Sequence, residues 1–283
     1  MKKGIAEIKE LDDFSVTKSE LKLSDALKSY TIFKEKLNEL PKNKRPQSDV
    51  EKAQLFREIH ENLAVPTLFR KSDSSNSTLS LMWFRRAKKL ATMFVALNNV
   101  VEFKGISKQD LKELSSLTQD LSNLRKLEEI LLAKGIVLVF ERSLQGANLD
   151  GACYLLESGQ ALIAMSLRYG RVDNFWFTLM HELSHLVLHG EQLSSPIIDD
   201  LDSDSAENII ELEADKLALN SLIPKNLWRT CPAKYSLTPE NVIKFSEEIG
   251  VHPAIVAGRL RKELNRWDLF SDLVNEHDVR EFL

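Results

Sequence analysis

From residue 79 to about 102 the apolar positions recur at helical spacing, which predicts one long helix. A second begins at Ser107-x-x-Asp110, a serine followed three residues later by an acid, and its pattern runs to about residue 133. Gly135 ends it, and Ile136-Val137-Leu138-Val139-Phe140 is a short β-rich run. Two more strands are expected near 152–156 and 161–166, joined through the turn-forming Glu157-Ser158-Gly159-Gln160. Asp173 stands where a cap belongs for a helix over 174–189, with Gly190 as its stop. Further helices fit 206–222, 239–249 after a Thr238 cap, and 253–264, the last two with proline in their first turn. Upstream, 18–62 reads as charged amphipathic helices interrupted at Pro41-Lys42-Asn43-Lys44-Arg45-Pro46, and the polar stretch 70–78 reads as a linker. The expected organisation is a helical region over 1–68 and a domain over 69–283 in which a small sheet is flanked by helices, an α+β class.

Composition narrows the function classes. A chain of 283 residues with 43% hydrophobic and 28% charged residues has the make-up of an ordinary globular protein, neither disordered nor membrane-embedded. Its formal net charge of -4, with 14 Lys and Arg against 12 Asp and Glu in residues 1–70, argues against direct nucleic-acid binding, which needs clustered cations. The first residues lack the apolar stretch of a signal peptide, and no later run approaches a membrane span. With only two cysteines, a disulfide framework is not expected, and the cytoplasm is the expected location. The acidic run from Asp199 to Asp204 lacks the glycine and terminal glutamate of a calcium loop and reads as a solvated segment.

The chemistry concentrates in His181-Glu182-Leu183-Ser184-His185. Residues four apart share one face of a helix, so His181 and His185 can offer two imidazoles to one ion, with Glu182 beside them as a general base. Catalytic zinc takes three protein ligands, and a third must come from elsewhere. His189 lies about 12 Å from His181 along the helix axis, too far to share an ion, and is expected to complement the helix C-terminus. Glu211 and Asp215 share a face of the next predicted helix: Glu211 suits the third ligand and Asp215 suits the outer nitrogen of a ligand histidine, although an acidic face exposed to water is the competing reading. Glu213 is rotated away from that face and is expected at the surface. An oxyanion-stabilising group is also needed, for which His252, Tyr154 and Arg168 are candidates. The run 161–166 could pair with an extended peptide if it lies at a sheet edge, or could be a buried central strand. Cys153 reads as a buried small hydrophobe, with a thiolate ligand on the zinc as the sharper alternative.

These motifs resemble the ImmA/IrrE family of gluzincin-type metallopeptidases. The matching residues are His181-Glu182-Leu183-Ser184-His185 and Glu211-Leu212-Glu213-Ala214-Asp215, followed by Leu217-Ala218 and Leu222-Ile223-Pro224. The stretches Leu149-Asp150-Gly151-Ala152, RYGRVDNFWF beginning at Arg168 and HPAIVAGR beginning at His252 look like the long C-terminal region of HigA-like regulators fused to such a domain. The resemblance covers roughly 69–283 and implies a zincin-like fold, a Zn2+ cofactor and limited proteolysis of a protein substrate, often a DNA-binding repressor. Those regulators usually begin with a helix-turn-helix module, and residues 1–68 show no such pattern, so DNA binding does not carry over. The alternative function is an antitoxin-like binding module that uses the zincin fold only as a scaffold.

Overall fold

In the computed structural model of the chain, the structure describes residues 45–62, 68–71, 77–145, 149–190 and 204–283, with positions 30, 33, 34, 37, 38, 40, 42 and 193 besides. Its elements run α1 (Asp49–Asn62), β1 (Leu68–Lys71), α2 (Ser77–Leu97), α3 (Lys108–Ser116), α4 (Leu124–Leu132), β2 (Ile136–Phe140), β3 (Leu149–Leu155) and β4 (Ala161–Met165). They continue through α5 (Val172–His189), α6 (Asp204–Leu222), α7 (Lys225–Arg229), α8 (Pro239–Ile249), α9 (Pro253–Leu264) and α10 (Ser271–Asn275).

The mixed sheet has the order β1-β3-β4-β2. β4 pairs antiparallel with β3 from Ala161↔Leu155 to Met165↔Gly151 and parallel with β2 from Ala161↔Ile136 to Met165↔Phe140. Residues 161–165 therefore form a central strand bonded on both sides, and no peptide can pair with them. β1 pairs antiparallel with β3, so Arg70 and Lys71 belong to the sheet and not to a linker. Residues 72–76 of the expected linker lie outside the described residues, as do 199–203 of the acidic run.

Side-chain alternation splits the core in two, because successive strand residues point to opposite faces. On one face Ile136, Cys153, Ala161, Ile163 and Met165 pack with α3 to α6, α8 and α9. On the other, Val137, Ala152, Tyr154, Leu162 and Ala164 pack with Trp83, Phe84, Ala87 and Ala91 of α2, together with Leu55, Leu40 and Phe33. Leu149 joins this second group, out of alternation with Gly151 and Cys153, at the point where the β1–β3 register shifts between Arg70 and Lys71.

Two predicted helices are shortened or broken. α2 stops at Leu97, before residue 102, where the Asn98 side chain donates to the Phe94 carbonyl at 2.8 Å and competes with the helical ladder. The helix expected from 107 to 133 is broken into α3 and α4 by two 3-10 turns, Leu117–Gln119 and Leu121–Asn123, with Asp120 accepting from the Ser122 N–H at 2.9 Å. Apolar spacing continues through the break because both halves bury leucines against the same layer.

The cap at Ser107 forms in full: Ser107 Oγ accepts from the Asp110 N–H, and Asp110 Oδ2 accepts from the Ser107 N–H at 2.7 Å. Lys134 Nζ adds an ion pair to Asp110 Oδ1 at 2.6 Å, tying the start of α3 to the turn before β2. Bonding to Lys134 and Ser107 pulls the Asp110 carboxyl down to about 2 from its ordinary 3.8. A depressed folded pKa stabilises the fold fully above the unfolded value and loses that effect as pH falls through the folded one. Asp110→Asn is thus expected to cost about 1 kcal/mol near neutrality, with solvent around the ion pair limiting the loss. Urea denaturation of both proteins should show the difference shrinking between pH 4 and pH 2. An equal gap at both pH values would assign the effect to something other than the carboxylate.

Candidate metal centre

α5 is buried almost throughout, from Val172 to Leu186, between the sheet and α6 and α9. It starts two residues before the expected position. Asp173 does not cap it: its carboxylate receives both the Nε and NH2 of Arg171, each at 2.9 Å, and lies against Gly258 of α9. A Cβ at Gly258 would sit 2.3 Å from Asp173 Oδ2, so α9 approaches α5 as closely as it does only with glycine there. The close approach of α9 also fixes α6, because Arg259 NH1 donates to the carbonyls of Leu219 and Ile223 at 2.8 and 2.9 Å and closes the α6 C-terminus.

With α5 and α6 packed together, His181, His185 and Glu211 converge. His181 Nε2 lies 3.0 Å from His185 Nε2 and 3.1 Å from Glu211 Oε2, and His185 Nε2 lies 3.5 Å from Glu211 Oε1. Atoms bonded at about 2.0–2.1 Å to one tetrahedral ion stand about 3.3 Å apart, so these three separations fit a single zinc-sized cation. Proton placement supports the same occupant. His181 Nδ1 is 2.8 Å from Asp215 Oδ1, an acceptor, so Nδ1 carries the proton and Nε2 turns a lone pair inward. That lone pair faces a second imidazole nitrogen and a carboxylate, and a cation is the group that relieves such a convergence of acceptors. Among the described residues, these three form the group of histidine, cysteine and acidic side chains with ligand spacing.

Electrostatics prepares both ligand types. Burial raises the Glu211 carboxyl, but hydrogen bonding and charge from protonated His181 and His185 rings outweigh it and bring it down to about 2, and a cation held in place of those protons would act in the same sense. Burial pushes His185 down, with the neighbouring His181 acting in the same sense, which keeps the imidazole neutral and able to bind metal. Asp215 is in turn held by Lys262 Nζ of α9 at 3.1 Å, and the same ammonium sits over the Phe177 ring beside His181.

Glu182 is fully buried on the sheet side of α5. Gly151 of β3 makes room for it: a Cβ there would stand 2.6 Å from Glu182 Oε1 and 2.9 Å from Thr178 Cγ2. Cys153, two residues along the strand, is also fully buried. Burial raises its thiol well above the ordinary value, and the charges of Glu182 and Glu211 add to the rise, which argues for a protonated thiol packed in the core.

The remaining candidates lie elsewhere. His252 caps α9, its Nδ1 accepting from the Ala254 N–H at 3.2 Å, and its ring meets His277 at 5.8 Å. It is ten residues from Lys262, about 15 Å along the helix, and the structure does not bring it to the three ligands. Tyr154 points to the opposite face of the sheet, where its hydroxyl meets Lys88 Nζ at 3.3 Å and Glu157 Oε1 at 3.1 Å. Arg168 stacks on Tyr169 in the loop between β4 and α5, where its guanidinium also donates to the Tyr169 hydroxyl.

Sequence reasoning did not single out Gly151 or Lys262, and it gave Glu213 no partner. Glu213 Oε2 reaches His189 Nε2 at 3.4 Å, although its own side chain is 59% exposed. His189 is buried under His185, with its Nδ1 3.2 Å from His185 Nδ1. Both ring nitrogens of His189 therefore face side chains, and it does not cap the helix end. The i, i+4 spacing of His185 and His189 was a visible signal, whereas Gly151 and Lys262 meet the site only through tertiary packing.

No curated protein matches the chain. Residues 134–261, the span from the turn before β2 to the last part of α9, match the family model of peptidase M78, the IrrE N-terminal-like domain, and this match supports the ImmA/IrrE family for the part of the chain that brings His181, His185 and Glu211 together.

Proposed function

We propose that the chain is a zinc-dependent endopeptidase that makes limited, regulated cuts in a specific cytoplasmic protein, a transcriptional repressor or an antitoxin partner being the substrate class that its resemblance to HigA-like regulators implies. One observation carries the reading: His181, His185 and Glu211 converge at ligand spacing while Glu182 is held in a buried slot beside them. A zinc ion at this position supplies Lewis-acid polarisation of a peptide carbonyl and makes water acidic enough to ionise near pH ~7. Glu182 takes the proton from the attacking water and returns it to the leaving amine nitrogen, acting as base and then as acid. Asp215 keeps the His181 proton on Nδ1 throughout. A buried carboxylate given space by a glycine on the neighbouring strand favours catalysis over a scaffold that only binds, which has no use for one.

Metal content and a chelator test the reading. The purified chain is expected to hold close to one zinc per molecule, to lose it and its cleavage activity to a strong chelator, and to recover both on adding zinc. Glu211→Gln, which removes the anionic ligand, is expected to weaken zinc binding by at least ~10-fold. A chain that binds no zinc in stoichiometric amount, or that cleaves its partner equally well without it, is not this enzyme.

A further inference from the structure

We propose that His189 and Glu213 form a positioning chain for His185, the counterpart of the Asp215–Lys262 pair that holds His181. The inference rests on the metal-centre reading above and extends it to two residues outside the ligand set. A ligand histidine needs its outer nitrogen held, because that bond fixes which nitrogen carries the proton and how the ring is turned. For His181 the holder is a carboxylate at 2.8 Å. His185 has no carboxylate at Nδ1; it has the Nδ1 of His189 at 3.2 Å, with the two ring centroids 5.4 Å apart.

One proton arrangement satisfies all contacts. If His185 Nε2 is to face the ion with a lone pair, Nδ1 carries its proton and donates to His189 Nδ1. His189 must then carry its own proton on Nε2, and the group facing Nε2 is the Glu213 carboxylate at 3.4 Å, an acceptor. The opposite arrangement puts a lone pair of His189 against the lone pairs of that carboxylate. Glu213 therefore selects the tautomer of His189, and His189 selects that of His185. His189 is 4% exposed and Glu213 largely exposed, so the chain runs from the buried ligand to the surface of α6. It also crosses from α5 to α6 at a second point, one turn beyond the ligands.

Three variants of the full chain test the proposal through zinc affinity, measured by competition with a chromophoric chelator, and through the visible spectrum of the cobalt-substituted protein. His189→Phe keeps the ring and its packing but removes the acceptor, and is expected to weaken zinc ~10- to 100-fold and to alter the cobalt spectrum. His189→Asn places a carbonyl oxygen close to the lost Nδ1 and is expected to restore affinity to within ~3-fold of wild type. Glu213→Ala, at an exposed position that leaves folding intact, is expected to weaken zinc ~3- to 10-fold. Wild-type affinity in the Phe variant, or equal losses in Phe and Asn, would overturn the proposal, since packing alone would then explain His189. If the Phe variant does not fold, unchanged affinity in Glu213→Ala overturns it. Failure of the wild type to bind zinc is a different result, which removes the metal centre itself.

Discussion

Glu182→Gln is expected to lower the rate of peptide-bond cleavage by ~10²- to 10⁴-fold, the usual contribution of a positioned general base, and to leave bound zinc unchanged. The substitution keeps shape and volume in a site with no room to spare, since Glu182 is fully buried against β3. It also leaves His181, His185 and Glu211 untouched, so metal content separates loss of the base from collapse of the site. The comparison has a second use in cells. A protein cut in the presence of the wild type and intact with the variant identifies the substrate, and identical behaviour of the two would favour the binding-module alternative. If the variant cleaves at the wild-type rate, Glu182 is not the base.

Gly151→Ala is expected to produce nearly the same loss from a residue with no chemistry of its own. Its new methyl would begin 2.6 Å from Glu182 Oε1, 2.9 Å from Thr178 Cγ2 and 3.0 Å from Glu182 Cγ. Glutamate is flexible, so the cheapest accommodation moves the carboxylate, but Thr178 is buried beside it and the displacement has nowhere to spread. A misplacement of about 1 Å costs on the order of 10²-fold in rate. We expect kcat to fall by about that factor, zinc affinity to hold within a few-fold, and stability to drop by about 1–3 kcal/mol from overpacking. Zinc titration, steady-state kinetics and thermal unfolding read the three separately. An unchanged kcat would show that the strand does not set the position of Glu182.

Much of the fold was legible because local signals agreed with packing. β2, α8 and α9 have the bounds that their apolar runs and caps predict, and the turn at Gly159 joins β3 to β4 as expected. What periodicity cannot report is a change of direction inside a continuous apolar stripe, and so the turns at 117–123 were hidden. It is equally silent on which strands are neighbours. The continuous apolar run of β4 did not by itself place the strand at an edge or at the centre, and β1 was masked by polar residues at the end of a short strand. At the site, the i, i+4 rule pointed to His181 with His185 and to Glu211 with Asp215 because each pair is local to one helix. The residues it missed act between elements: Lys262 reaches Asp215 from α9, and Gly151 yields space to Glu182 from β3.

β3 has a consequence for how the two ends of the chain depend on each other. Its odd residues Gly151 and Cys153 line the compartment of α5, and its even residues Ala152 and Tyr154 line the compartment of α2. It is a party wall 7 residues long, with the proposed base leaning on one side and α2 on the other. The family match at 134–261 includes the wall but neither α2, which packs on its far side, nor β1, which pairs along its edge. Pressure applied to that far side, by a partner or by a substitution among Trp83, Phe84 and Ala87, would therefore be felt by Glu182 without anything touching the metal ligands.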